Sequence, residues 1–183
     1  MVISGTLAIK HILKQIDSIG FHGEVRLDAN VSPAARKFFD DIPVYERKSA
    51  EVVNMEVSQW YSKPPFMENT KVALFKVETN MQDKFVRMYT HNSVKPVSGG
   101  QFIALYGDVI DAKGNLLSAA TLKDKFDLLD TPTHYSRVNA PIGTELAVGI
   151  VKSGNFGGKG GGTQFYFTQR SYDDWFINSK AIK

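Results

Sequence analysis

Two arginines and one glutamine, Arg87, Arg137 and Gln164, each lie in a run of residues that favours a β-strand. Tyr89 follows Arg87 by two residues, and Tyr135 precedes Arg137 by two. Because a guanidinium group presents a planar fork of donors, two arginines on neighbouring strands would clamp a diphosphate while the aromatic rings cover a flat base. Gln164 cannot act as a base, but its amide can hold a hydroxyl group or position a water molecule. The alternative for each arginine is a solvent-facing position on a strand.

Gln164 follows a glycine-rich segment, Gly154–Gly162, in which six of nine residues are glycine. Glycine loses more backbone entropy on ordering than any other residue, so the segment is either a flexible linker or a loop whose backbone approaches something closely. Strand-forming residues flank it on both sides, and only about twenty residues follow it. These surroundings favour a shaped loop that brings Gln164 into a site.

Other chemistries lack their usual residue patterns. The four histidines, His11, His22, His91 and His134, form neither an HxH nor an HxxxH spacing, which predicts no metal site. The chain has no cysteine, so thiolate chemistry and disulfides are excluded. The serine-hydrolase elbow G-x-S-x-G and the phosphate loop G-x-x-x-x-G-K-[ST] are both absent.

Size and charge narrow the class further. A chain of 183 residues that is 43% hydrophobic suits one domain with a proper core. Its net charge of +3 comes from scattered lysines and arginines, whereas a nucleic-acid binder usually shows a basic stripe with interleaved aromatic residues. An anionic small ligand explains the charge equally well. The N-terminus lacks the features of a secretory signal, so we expect export by another route or an origin within a longer protein.

The hydrophobic pattern predicts helices first and strands later. Helices are predicted at 5–19, 33–41, 50–61 and 119–129, and strands at 21–28, 71–77, 84–90, 101–106, 134–139, 145–151 and 163–169, with a final helical turn or edge strand at 172–177. The expected class is α+β, with N-terminal helices followed by a compact, mostly antiparallel β core that contains one embedded helix. The expected division is a helical segment at 1–48 and a catalytic domain at 49–183.

Four short motifs occur in an order that resembles a known toxin family. They are Arg87-Met88-Tyr89, Gly100-Gln101-Phe102, Tyr135-Ser136-Arg137-Val138 and the GGGTQF segment at 160–165. The order is similar to that of the NAD-glycohydrolase domains of bacterial polymorphic toxins of the tuberculosis-necrotizing-toxin type, distant relatives of ADP-ribosyltransferase toxins. The resemblance covers about residues 50–168.

This resemblance implies an ADP-ribosyltransferase-like fold and cleavage of the nicotinamide N-glycosidic bond of NAD(P), which would be a substrate and not a prosthetic group. It implies Gln164, Arg137 and Arg87 as catalytic residues, and Arg87, Tyr89, Phe102, Arg137, Gly161, Gly162 and Thr163 as residues that bind NAD(P). It also implies a cognate immunity protein as partner, for which an acidic surface would suit the charge of this chain, and delivery into the cytoplasm of a target cell as part of a larger toxin.

Three alternatives stay open. ADP-ribosyltransferases typically use a glutamate at the position of Gln164 to activate an acceptor, so glutamine there favours hydrolysis over transfer. The runner-up is nevertheless a mono-ADP-ribosyltransferase that modifies a protein or an RNA. The others are a ribonuclease toxin with His91 or His134 as base, and a non-catalytic module that binds through the glycine-rich loop.

Overall fold

The computed structural model describes residues 27–40, 42–78, 83–91 and 101–183. Within these residues, eight strands form one sheet in the order β1-β2-β6-β7-β4-β3-β5-β8, and every pairing between them is antiparallel. The strands are β1 (Val44–Ser49), β2 (Lys71–Lys76), β3 (Phe85–Tyr89), β4 (Phe102–Leu105), β5 (His134–Val138), β6 (Glu145–Ile150), β7 (Thr163–Phe167) and β8 (Phe176–Ala181). The α-helices are α1 (Pro33–Phe38), α2 (Ala50–Val57) and α3 (Ala119–Phe126). The chain is therefore a compact α+β domain dominated by an antiparallel sheet, as predicted.

The strands predicted from residue 71 onward are confirmed, with ends shorter by one or two residues. Serine hydroxyls cap all three helices: Ser32, Ser49 and Ser118 accept hydrogen bonds from backbone amides three residues later. The tail contains both predicted forms, a 3₁₀ turn at Asp173–Trp175 followed by β8. None of the helices in the described part of the chain is long and apolar enough to cross a membrane.

The sequence prediction misses strand β1, which pairs with β2 from Val44 opposite Phe75 to Ser49 opposite Lys71. In addition, Val31 and Ala35 are buried in the core. Residues 27–40 and 42–48 therefore pack with the sheet, and the predicted boundary at 48 falls at the end of an edge strand instead of between two units. The predicted helix 5–19 and residues 21–26 of the predicted strand 21–28 lie outside the described residues.

A cluster of phenylalanines fixes β7 from one face of the sheet. The fully buried ring of Phe165 lies 5.0 to 6.2 Å from the rings of Phe38, Phe39, Phe75 and Phe85. Each such aromatic pair adds about 0.5–1.5 kcal/mol beyond its burial. Because side chains alternate along a strand, anchoring Phe165 on this face turns the side chain of Gln164 to the opposite face.

That opposite face is covered by α2 over β2, β6 and β7, and by α3 over β3, β4 and β5. The ladder between β3 and β4 contains only two residue pairs, Phe85 with Leu105 and Val86 with Ala104. The start of β4 pairs instead with β7, where Phe102 lies opposite Tyr166. Phe102 therefore shares a face with Tyr166 and with Gln164, two residues earlier on the same strand.

Candidate functional site

A cleft of about 230 Å³ lies on the face covered by α2 and α3. Strands β4 and β7 supply its floor, and three chain segments supply its walls: the residues after α2, the end of α3, and the start of the glycine-rich loop. It is lined by Tyr61, Ser62, Lys63, Pro65, Phe102, Phe126, Asp127, Leu128, Leu129, Val151, Lys152, Asn155, Phe156 and Gln164. Mostly apolar walls with a few polar groups are typical of a small-molecule site.

Gln164 is a polar residue of β7 whose side chain lines this cleft. It is only 8% exposed. A largely buried amide that faces a cleft can donate and accept hydrogen bonds with a molecule that enters it. Gln164 thus follows the glycine-rich loop and faces the cleft, as expected; that the cleft is a functional site stays a prediction.

Aromatic rings extend from the cleft floor toward the neighbouring strand. The ring centroids of Tyr61 and Phe102 are 5.2 Å apart, as are those of Phe102 and Tyr166. Burial raises the pKa of the Tyr61 phenol, and the charge of Arg87 partly opposes this rise. At the outer wall, the Lys63 ammonium lies 4.5 Å from the ring centroid of Phe156. A flat ring that enters the cleft would therefore meet aromatic surfaces at the floor and at the rim.

Asp127 holds the outer wall in place. Its Oδ1 accepts hydrogen bonds from the amide of Gly158 at 2.6 Å and from that of Phe156 at 3.1 Å, and its Oδ2 lies 3.2 Å from the latter. Asp127 ends α3 in the left-handed conformation, with φ of 45°. Sequence reasoning missed this residue, because an aspartate after a helix is common and gives no indication of a partner thirty residues later in the chain.

The glycine-rich segment is a shaped loop, as predicted, but its close approach is to the protein itself. A Cβ on Gly158 would lie 2.8 Å from the Asp124 carbonyl oxygen, and one on Gly162 would lie 2.9 Å from that of Lys125. The small residues therefore let the loop lie against the end of α3. We expected these glycines to bring the backbone close to a ligand, whereas the structure brings it close to the end of α3.

Three residues predicted to bind the ligand are directed elsewhere. The amide of Gly161 donates to the Val151 carbonyl at 2.9 Å, and that of Gly162 donates to the Lys125 carbonyl at 3.1 Å. The Thr163 hydroxyl accepts from the Ser32 amide at 2.7 Å, on the sheet face opposite Gln164. None of Gly161, Gly162 and Thr163 lines the cleft.

The two arginines do not form the predicted diphosphate clamp. In the β3–β5 ladder Arg87 lies opposite Ser136, whereas Arg137 lies opposite Val86. Since directly paired residues share a face and neighbours alternate, the two guanidinium groups leave the sheet on opposite faces. Arg137 stacks 3.6 Å from the Tyr106 ring centroid and donates to the Asp83 carbonyl at 3.2 Å. It does not line the cleft.

On β3, Arg87 shares the face of Phe85, two residues earlier, and like Arg137 it does not line the cleft. Burial lowers the pKa of its guanidinium, and the nearby Tyr61, Asp173 and Tyr89 oppose that shift. Its carbon Cζ is also 5.2 Å from the ring centroid of Phe176.

The remaining predicted residues lie at the ends of β3 and β5 or outside the described ranges. The Tyr89 hydroxyl bonds that of Ser179, and its ring lies 5.8 Å from that of His134, away from the cleft. Gly100, His11 and His22 are outside the described residues. Among the residues that the structure describes, no three His, Cys, Asp or Glu side chains gather in a group suited to a metal ion.

No protein-family model matches this chain, and no curated protein matches it. Among solved structures, the complex of Tne2 with Tni2 aligns at 20% sequence identity with a TM-score of 0.46, covering 64% of this chain and 97% of that one. A likeness this distant is too weak to support a statement about fold type or activity.

Proposed function

We propose that this chain is the catalytic domain of a toxin that hydrolyses the nicotinamide N-glycosidic bond of NAD(P) and so depletes the dinucleotide in a target cell. The observation that carries the proposal is the largely buried amide of Gln164, which faces a cleft walled by aromatic rings. The order of the four sequence motifs adds support, since Gln164 and Phe102, which belong to two of them, meet in this cleft.

The chemistry needs positioning more than proton transfer. Nicotinamide leaves from NAD(P) as a neutral molecule after starting as a cationic ring, so the bond breaks through an oxocarbenium-like state with little need for a general acid. The aromatic floor at Phe102 and Tyr61 would hold the flat ring. The Gln164 amide would accept from a ribose hydroxyl or orient the attacking water, and the sequence resemblance assigns Arg87 to the phosphates.

Hydrolysis is favoured over transfer by the state of Asp127, the one carboxylate among the described residues that line the cleft. Asp127 accepts backbone hydrogen bonds with both oxygens, so it is engaged in holding the loop. Activating a protein or RNA acceptor calls for a basic group at the site, and the other lining residues within the described part of the chain include none with a carboxylate or an imidazole. Transfer of label from NAD to macromolecules in a lysate, with little free nicotinamide, would favour the transferase instead.

The direct test measures nicotinamide release from NAD and NADP. Replacing Gln164 by Ala removes one or two hydrogen bonds to the reacting centre, so kcat/KM should fall roughly tenfold to a hundredfold. Gln169→Ala is the matched control, because Gln169 is exposed and does not line the cleft. Absence of NAD cleavage by the wild type, or full activity in Gln164→Ala, would refute the assignment.

One observation favours a second candidate, a ribonuclease. The rings of His91 and His134 lie 4.9 Å apart, and the Thr133 hydroxyl is 2.9 Å from Nδ1 of His134. A pair of imidazoles is a suitable acid and base for RNA cleavage, although these two lie at the ends of β3 and β5, away from the cleft. This function predicts RNA degradation that His134→Ala abolishes and Gln164→Ala leaves intact.

The proposed toxin also needs an inhibitor in the cell that makes it. Leu129 and Phe156 are 67% and 38% exposed at the cleft rim, which offers apolar anchors to a protein that covers the opening. The net charge of +3 suits an acidic inhibitor. Such an inhibitor should block NAD cleavage, and Leu129→Asp should weaken the block by a larger factor than it changes kcat/KM of the free enzyme.

A further inference from the structure

A second cavity of about 160 Å³ lies on the same sheet face as the cleft, toward β2. Lys48, Val53, Glu56, Val57, Trp60, Leu74, Ala147, Tyr166 and Thr168 line it. The two cavities adjoin each other along two chain segments. Trp60 lines the second cavity while the next residue, Tyr61, lines the cleft; likewise Tyr166 lines the second cavity while Gln164 lines the cleft. Two residues along a strand span only about 7 Å.

The lining of this second cavity suits a flat, polar-edged ring. Trp60 is 75% exposed, so a large aromatic surface stands beside the opening. Lys48 and Glu56 form an ion pair at 2.9 Å, which places a hydrogen-bond donor next to an acceptor. Its floor is apolar, formed by side chains such as Leu74 and Ala147. An aromatic wall with an adjacent donor and acceptor is the arrangement that recognises a nucleobase by stacking and by its edge.

The first cleft is small for a whole dinucleotide. Its volume of about 230 Å³ is below the ~300–1,000 Å³ of sites that enclose a drug-sized ligand, so it holds one end of such a molecule. Between the two cavities lie the adjacent rings of Tyr61, Phe102 and Tyr166.

We infer that the second cavity binds the purine base at the far end of the dinucleotide, with Trp60 as its stacking surface. This inference rests on the proposed function, since the cleft at Gln164 takes the nicotinamide end of the same molecule. Trp60 is then a specificity-determining residue: it favours substrates that carry a second base and is indifferent to those that lack one.

The experiment compares NAD with nicotinamide mononucleotide, which has the same scissile bond and no purine. Trp60→Ala should raise KM for NAD by roughly five- to 150-fold, the range for loss of one base–aromatic stack, and should leave KM for the mononucleotide unchanged. Met55→Ala is the control, because Met55 is 68% exposed on the neighbouring helix and does not line the cavity. An equal effect of Trp60→Ala on both substrates, or none on either, overturns the inference.

A binding arm separates failure of the subsite from failure of the proposed function. Calorimetry with AMP, which carries the purine without nicotinamide, should show binding that Trp60→Ala loses and Gln164→Ala keeps. AMP binding of this kind in a protein that cleaves neither NAD nor the mononucleotide would refute the glycohydrolase and support the nucleobase site. Cleavage of NAD with no detectable AMP binding and no effect of Trp60→Ala would refute the nucleobase site alone.

Discussion

Asp127 offers the sharpest test of how the cleft is built, because three substitutions separate its two contributions. The carboxylate accepts from the amides of Phe156 and Gly158, and the backbone adopts a φ of 45° that most residues avoid. Asn keeps an acceptor and tolerates this conformation. Gly also fits the conformation but deletes the acceptor, whereas Ala deletes the acceptor and strains the backbone.

The expected magnitudes follow from the hydrogen bonds. Two bonds to a charged acceptor contribute about 1.5–3 kcal/mol each, so Asp127→Ala should lower the free energy of unfolding by roughly 3–6 kcal/mol. Gly should recover about 1 kcal/mol of that loss through its freedom at positive φ. Because charge-assisted bonds are roughly twice as strong as neutral ones, Asn should lose about half as much as Ala. Each kcal/mol corresponds to about 2–4 °C in Tm for a chain of this size.

Thermal unfolding and steady-state kinetics on the four proteins provide the assay. Thermal stability should fall in the order wild type, Asn, Gly, Ala. Since Asp127 holds the wall that carries Phe156, its loss should also raise KM for NAD more than it lowers kcat. A Gly variant with the Tm of the wild type would refute the role of the Asp127 carboxylate in holding the wall. An Asn variant with native Tm but a kcat as low as that of Ala would show that the carboxylate acts chemically, which contradicts its assignment as a positioning residue.

Two further predictions follow from the arginines and from a buried aspartate. Arg87→Ala should raise KM for NAD roughly tenfold to a hundredfold through loss of a charge-assisted phosphate contact. Arg137→Ala should instead lower Tm and leave kcat/KM within about threefold, because Arg137 stacks on Tyr106. Comparable kinetic losses in both variants would contradict the assignment of the two arginines to opposite faces. Burial raises the pKa of Asp108 above its ordinary 3.8, so the wild type should lose stability as the pH rises from about 3.8 through the folded-state pKa. Asp108→Asn keeps an acceptor for the Ser32 hydroxyl and should remove this loss, so urea midpoints should favour Asn increasingly toward neutral pH and coincide below pH 3.8.

The strands that could be predicted are those whose apolar residues are buried on both faces. In β2 the four central residues are all buried, and in β7 every residue is, so a continuous apolar run marks each strand. Strand β1 carries Glu46, Arg47 and Lys48 and is largely exposed at the edge of the sheet. Charges on an edge strand prevent unwanted pairing, and the same charges hide the strand from an analysis of hydrophobic periodicity.

Alternation within one strand could also be predicted, but the register between strands could not. The sequence correctly assigns Phe85 and Arg87 to one face of β3 and Gln164 and Tyr166 to one face of β7. Whether Arg137 shares the face of Arg87 depends on which residues of β3 and β5 lie opposite each other, and a shift by one residue reverses the answer. No local feature of either strand fixes that register.

The same reasoning explains why the loop residues of the cleft escaped prediction while its floor did not. Phe102 and Gln164 lie on neighbouring strands, so regular geometry alone brings them to one face. The walls come from segments that meet only because α3 ends at Asp127 and the glycine-rich loop folds back onto that end. A glycine at 158 or 162 is required by the nearby α3 carbonyls, and sequence pattern cannot distinguish that requirement from close approach to a ligand. Gly158→Ala should therefore disturb the contact of the loop with Asp127 and the end of α3. Like Asp127→Gly, it should lower Tm and raise KM more than it lowers kcat. A glycine that lay directly on the ligand would instead change KM without lowering Tm.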